Sequence, residues 1–402
     1  MAVNLIAIFW LLLLIIGWPL YAWTRVDANT FYDLGGWSRD YIHGGLAILL
    51  ASIFLYFGGV IARKTSGSGT FSLKRDIKPL QAVLAETAAG LPLWSILLLY
   101  ILGFYFAIQQ YTFYGIFIRD YYLAEVGVEG VFLQMVIVLG VATSLLLIYD
   151  KRYAAGLIFS LLFFLLAVTK GTRLAAVPVL MVPSVYYISL LKTTRDSVVS
   201  KSIYLLSTLV VLVLSALLLQ VLIGMRDFNS YGIIPFFGYI FSVMIGDIFI
   251  GEWSVYEVLL NLSFGLTVTD ITISDFTHSW YDIIVALNPL PGASAGWDDL
   301  LEVRRINIYV PFSSFGELYG FSPVLLCCYM LVAGYFIGYN EIRISQKKRF
   351  IIFRFAIFLL LCMLFALLSP QYNLRSVTRL LWYMLVLFSI LNLFERFFSK
   401  KI

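Results

Sequence analysis

The stretch YIHGGLAILLASIFLYFGGVIARK, residues 41–64, decides the fold. Residues 41–62 are apolar or small almost throughout, and crossing the hydrocarbon core takes about 20 such residues. The run is continuous rather than alternating, so it does not read as a barrel strand. A helix is then the form that satisfies its own backbone in lipid. Arg63 and Lys64 follow at once and mark the end held in the cytoplasm.

Nine further segments read the same way, at 3–23, 92–112, 131–149, 154–170, 172–191, 203–224, 322–342, 350–369 and 378–397. The whole chain agrees with them: 61% hydrophobic, 13% charged and a mean hydropathy of +0.92 exclude an ordinary soluble domain. The expected architecture is an all-α polytopic bundle of about ten transmembrane helices with one large external loop. The boundaries fall at 1–224 (helices one to seven), 225–320 (the loop) and 321–402 (helices eight to ten). The first apolar run is too long for a cleavable signal and lacks a basic n-region, so it predicts a retained anchor. Cys327, Cys328 and Cys362 all fall inside expected spans and read as core-filling thiols.

Charges sort by side. Ten lysines and eight arginines lie on the side of Arg63, including Lys151, Arg343, Lys347 and the C-terminal Lys400 and Lys401. The positive-inside rule makes that side cytoplasmic and puts both termini there. The other side carries nine arginines and one lysine. Topology needs only positive charge, so lysine would serve. Arginine's planar fork is preferred where carboxylate or phosphate is gripped bidentately. Arg173, Arg226, Arg304, Arg305, Arg375 and Arg379 are accordingly candidates for an anionic ligand at the outer head-group plane, against the alternative that some pair with nearby aspartates or snorkel.

The loop of about 95 residues, Met225 to Gly320, is where function concentrates, because a connector without a task is normally short. It begins with IIPFFGYIFSVMIGDIFIGEW (233–253), too broken for a span and expected to lie on or dip into the outer leaflet. NPLPGASAGW (288–297) carries turn chemistry. On the other side, LKRDIKPLQAVLAETAAGLP (73–92) reads as a short interfacial helix.

Glu317 meets the membrane at the end of the loop, where a carboxylate is costly unless paired. It is either functional or a charge complementing a helix dipole. His278 is the sole external histidine, suited to proton transfer near neutral pH, and Asp282 one helical turn on would orient its ring. Trp253, Trp280 and Trp297 suit stacking on sugar rings, though interfacial belts use the same residues. No HExxH, Walker A, GxSxG or CxxC occurs, and Asp298 and Asp299 have no ligand cluster beside them, so a metal site is not indicated.

Ten spans with a late, arginine-bearing outer loop, together with GTRLAAVPVL (171–180) and RINIYVPFSSFGELYGF (305–321), resemble the bacterial O-antigen polymerase (Wzy) family. The family's R-x10-G element is matched by Arg305 to Gly316 and by Arg119 to Gly130, and missed by one residue from Arg226 to Gly238. The resemblance implies a fold similar to lipid-dependent (GT-C-like) glycosyltransferases. It also implies a reaction between two undecaprenyl-pyrophosphate-linked glycans in the outer leaflet, the hydroxyl of one repeat unit displacing undecaprenyl pyrophosphate from the growing chain. Arginines would hold the pyrophosphate, and Glu317 or His278 would take the hydroxyl proton. No metal, cofactor or nucleic acid is implied; the lipid bilayer and a chain-length-regulating co-polymerase are the implied partners. The runners-up are an O-antigen ligase and a flippase or exporter of the same glycan. Charges concentrated in loops rather than along spans favour an enzyme over a transporter.

Overall fold

The computed structural model describes residues 2–31, 42–66, 92–120, 128–170, 221, 230–245, 264–274, 276–290, 296–301, 303–306, 310–346 and 351–399. Among them every regular element is a helix. Eight of the expected spans fall on helices: α1 (Ala2–Phe31), α2 (Ile42–Thr65), α3 (Leu93–Phe117), α4 (Val128–Tyr149), α5 (Tyr153–Lys170), α11 (Pro323–Gln346), α12 (Ile351–Leu368) and α13 (Leu374–Ser399). Segment 172–191 lies outside the described residues, as does 203–224 apart from Val221. Among the described residues five helices are long and apolar enough to cross a membrane, within α1, α2, α3, α11 and α13; two shorter apolar helices lie within α4 and α5. The last expected span begins four residues late, since α13 already starts at Leu374.

The chain divides into two compact units, 1–79 with 259–402, and 80–258. The segment expected as one external loop, 225–320, is therefore shared between them. Its first part supplies α6 (Ile233–Ile245). Its second part supplies a helix over 264–274 (α7), then α8 (Trp280–Leu287), α9 (Trp297–Leu301) and α10 (Ser314–Phe321).

In the first unit α2 and α11 meet backbone to backbone. A Cβ on Gly58 would lie 2.1 Å from the Leu331 carbonyl oxygen, and one on Gly334 would lie 2.0 Å from that of Leu55. Small residues permit this approach, the usual means by which apolar helices associate where lipid is as greasy as the protein. α1 packs on the same pair and also reaches α12 and α10: Trp10 is fully buried, gives its indole N–H to Ala366 O at 2.8 Å, and sets its ring edge-on to Phe315 at 4.8 Å.

α7 is buried on every side from Phe264 to Thr272. Its threonines turn inward and return their hydroxyls to the helix, Thr269 to Gly265 O at 2.7 Å and Thr272 to Val268 O at 2.7 Å. Asp270 reaches across to the N-terminus of α2, accepting Gly44 N–H at 3.1 Å. A carboxylate there satisfies an otherwise orphaned donor and complements the positive end of that helix.

In the second unit α3, α4 and α5 pack together, with α6 against α3 and α5. α3 breaks at Thr112, the last residue of its expected span, where φ is 66° and ψ 164°. α6 has 13 residues, about 20 Å of helix, which is short of a crossing. Of the thiols, Cys362 is buried, Cys327 half-buried and Cys328 exposed.

Candidate functional site

The sequence SSFGE (313–317) builds the centre of the site. Ser313 is the N-cap of α10, its hydroxyl accepting Gly316 N–H at 3.3 Å and pairing with the Thr269 hydroxyl at 2.8 Å. Ser314 donates its hydroxyl to Ser369 O at 2.7 Å and its N–H to Tyr372 O at 2.8 Å. A Cβ on Gly316 would come within 2.5 Å of the Thr272 side chain, so glycine lets α10 press flat on α7. The next residue, Glu317, is thereby carried into the interior with 2% exposure.

One oxygen of Glu317 accepts the Leu374 N–H at 2.6 Å, the other faces the Arg304 guanidinium at 3.7 Å. Arg304 is itself buried and forms a much closer ion pair with Asp282. It also gives an N–H to Nδ1 of His278 at 3.1 Å and lies over the Phe312 ring at 5.6 Å. His278 Nε2 donates to Thr272 O at 3.0 Å, which fixes the tautomer: Nδ1 is the acceptor. Asp282 is set by its own helix. Ser279 and Asp282 form a capping box at the start of α8, with Ser279 N–H donating to the carboxylate at 2.8 Å.

These environments drive the carboxyls apart. Burial pushes Glu317 from the usual 4.5 up to about 7, and the Leu374 N–H and Arg304 only partly oppose it. Burial also raises Asp282, but the Ser279 hydroxyl, the Ser279 N–H and Arg304 outweigh it and hold the carboxyl below its ordinary range. Burial lowers His278, and neighbouring Arg304 adds to that; the Thr272 carbonyl and Asp282 offset it in part, so the ring stays neutral. One guanidinium thus stands between an ionised carboxylate and a carboxyl that gains and loses its proton near neutral pH. That pairing suits acid–base work.

The expected site residues fall into three groups. Glu317, His278, Asp282 and Arg304 come together. Arg375 and Trp297 form a second knot: the buried Arg375 guanidinium donates to Val285 O at 2.7 Å, Asn288 O at 3.3 Å and Leu290 O at 2.6 Å, and lies over the Trp297 ring at 5.3 Å. Trp382 of the same helix adds its indole N–H to Leu287 O at 3.2 Å. Arg304 and Arg375 are therefore buried inside the protein; by exposure alone Arg305 lies at the surface and Arg379 is half-buried. Trp280 is 61% exposed, edge-on to Phe321 at 4.5 Å. Arg173, Arg226 and Trp253 lie outside the described residues, as do 73–91 and 291–295. In the second unit Arg119 is buried over the Tyr111 ring at 4.1 Å, its backbone bridged to Tyr231.

What the sequence did not mark is α7, the Leu374 N–H and the Thr272 carbonyl. The N-cap serine and following glycine of SSFGE are the signal that would have found the docking of α10. No protein-family profile, curated protein or solved structure matches the chain.

Proposed function

We propose that the chain is a membrane glycosyltransferase that polymerises polyprenyl-pyrophosphate-linked oligosaccharide repeats. In this reading the Glu317 cluster faces the outside of the cell membrane, and both termini are cytoplasmic. The observation that carries it is the Glu317–Arg304–Asp282–His278 constellation, with Glu317 six residues before a helix long and apolar enough to cross a membrane. A buried carboxyl raised to about 7 is matched to proton transfer at neutral pH.

The acceptor hydroxyl oxygen attacks the anomeric carbon of the growing chain. The bond from that carbon to the pyrophosphate oxygen breaks, its electron pair leaving with undecaprenyl pyrophosphate, and the hydroxyl proton passes to the Glu317 carboxylate. Arg304 screens Glu317 at 3.7 Å, a looser contact than its pair with Asp282. An arriving pyrophosphate competes for that guanidinium, which uncovers the carboxyl as the leaving group is neutralised. Arg305, exposed beside it, and Arg379, five residues beyond the capped start of α13, supply further positive charge. Asp282 and His278 hold Arg304 in place.

The test uses purified full-length protein and synthetic lipid-linked repeat units. Glu317→Gln is expected to bind donor and fail to extend it. Normal chain extension by Glu317→Gln would remove Glu317 as the base.

A further inference from the structure

One turn of α10 touches the same small network twice. Glu317 faces Arg304, and Gly320, three residues on, faces the imidazole of His278. Residues three apart share one face of a helix, so the two contacts are neighbours. A Cβ on Gly320 would stand 2.6 Å from Cδ2 and 2.7 Å from Nε2 of that ring. Carbon atoms pack at about 3.5–4.0 Å, so the ring occupies the volume that any side chain at this position would need.

The ring is boxed in. Phe276 lies against Phe312 with centroids 4.2 Å apart, and Trp280 against Phe321 at 4.5 Å, which pins the chain on both sides of His278. Nε2 is committed to Thr272 O at 3.0 Å and Nδ1 to Arg304 Nη1 at 3.1 Å. That same Nη1 is the atom that faces Glu317 Oε1, at 3.7 Å. A hydrogen bond is made at the first distance and not at the second. The imidazole therefore keeps Nη1 from closing on Glu317, while Nη2 is spent on Asp282. Of the other charged or titratable groups described around α10, Arg375 is turned to the end of α8, Asp270 accepts Gly44 N–H at the start of α2, and His43 stands beside Tyr319. Arg305 is exposed, and Arg379 lies a further turn along α13.

We propose that Gly320 and His278 act together as positioning residues for the proposed transfer: the space left by the glycine seats the imidazole, and the imidazole holds Arg304 off the Glu317 carboxyl. The inference rests on the reading of Glu317 as the base. A guanidinium closed onto that carboxylate would keep it ionised and make it a poor proton acceptor.

The experiment is a double-substitution cycle on the purified full chain, read by the melting temperature and its dependence on pH. Gly320→Ala should lower the melting temperature when the ring is present and leave it unchanged in the His278→Ala background. There the added methyl enters vacated space, and Ile273 Cα at 3.4 Å offers it ordinary contact. Each background is also compared with its Glu317→Gln counterpart. In the unsubstituted chain the loss of stability due to Glu317 should end near pH 7. In Gly320→Ala and in His278→Ala it should end about one pH unit lower, a tenfold weaker hold on the proton, because Arg304 is free to approach. Gly103→Ala sets a methyl 2.9 Å from Val136 in the second unit, and should lower the melting temperature without moving that limit. His278→Ala inserts no volume, so it keeps the test open if Gly320→Ala does not fold. An equal cost of Gly320→Ala with and without the ring, or a Glu317 limit unmoved in His278→Ala, overturns the proposal and leaves the transfer reading standing. Chain extension that survives Glu317→Gln, with the limit shifted as expected, supports the seating of the ring and removes Glu317 as the base.

Discussion

The Glu317 carboxylate caps the start of α13 by accepting the Leu374 N–H at 2.6 Å, across 57 residues of sequence. The next residue, Arg375, runs the other way and takes three carbonyls at the end of α8. A single helical turn is thus tied by its own donors both to α10 and to the end of α8. The candidate base and the helix that frames it stand or fall together, so substitutions at Glu317 must be chosen to separate chemistry from support.

Glu317→Gln keeps an oxygen for the Leu374 N–H, whereas Glu317→Ala leaves that buried donor unmet at about 1–3 kcal/mol. Chemical or thermal unfolding should place the alanine variant well below the glutamine variant. Chain extension should be lost in both. Equal stability of the two would mean the cap contributes nothing.

The pH dependence follows from the direction of each shift. A carboxyl raised from 4.5 to about 7 binds its proton more tightly when folded, so ionisation opposes folding. Relative to Glu317→Gln, the unsubstituted protein should lose stability as pH climbs from about 4.5 to 7 and run parallel above that. His278 has the opposite sign: its lowered affinity for a proton means folding is favoured above the ordinary histidine range and loses that contribution as pH falls. Difference curves against Glu317→Gln and His278→Gln should therefore slope in opposite senses. Two curves of the same slope would contradict the assigned environments.

Arg304→Ala leaves Asp282 and Glu317 without their shared cation, and breaking a buried pair this way typically costs about 3–5 kcal/mol. Arg304→Lys keeps the charge but cannot reach Asp282, His278 and Glu317 at once. It should fold with reduced stability and little chain extension. Wild-type behaviour from Arg304→Lys would show that one point charge suffices.

The remaining candidate arginines are tested by charge-conserving exchange. Arg305→Lys, Arg379→Lys, Arg173→Lys and Arg226→Lys should shorten polymer ladders while leaving unfolding unchanged. Arg375→Lys should instead lower stability first, because its fork is spent on Val285, Asn288 and Leu290. Full-length ladders from all five would remove pyrophosphate gripping by these residues.

Reporter fusions at Ser68, Thr194 and Lys347 should report the cytoplasm, and one at Gly292 the outside. A cytoplasmic Gly292 would put the Glu317 cluster on the wrong side for lipid-linked donors.

The long apolar helices were legible because lipid leaves the backbone one solution per span, and continuous runs such as 41–62 announce it. The members of the cluster were legible by chemical type: a carboxylate at the membrane edge, one histidine, one aspartate a turn beyond it, and an arginine-rich segment. Their mutual geometry was not. Arg304 meets Asp282 through a fold that local pattern does not encode, and Glu317 finds its partner in another helix. α7 escaped notice for a different reason. TVTDITIS alternates β-branched and polar residues, which argues against a helix locally, yet burial on all sides and hydroxyls turned back onto the backbone override that preference. Nor does local pattern show that segment 225–320 contributes to both compact units.

The glycine contact between α2 and α11 carries a mechanical consequence. With no side chain between Gly58 and Leu331 or between Gly334 and Leu55, the two helices have no rotamers to exchange and so no cheap way to slide. They form a stator. Any movement that admits a ligand falls to α8, α10 or α13, whose ties are hydrogen bonds that a ligand can replace.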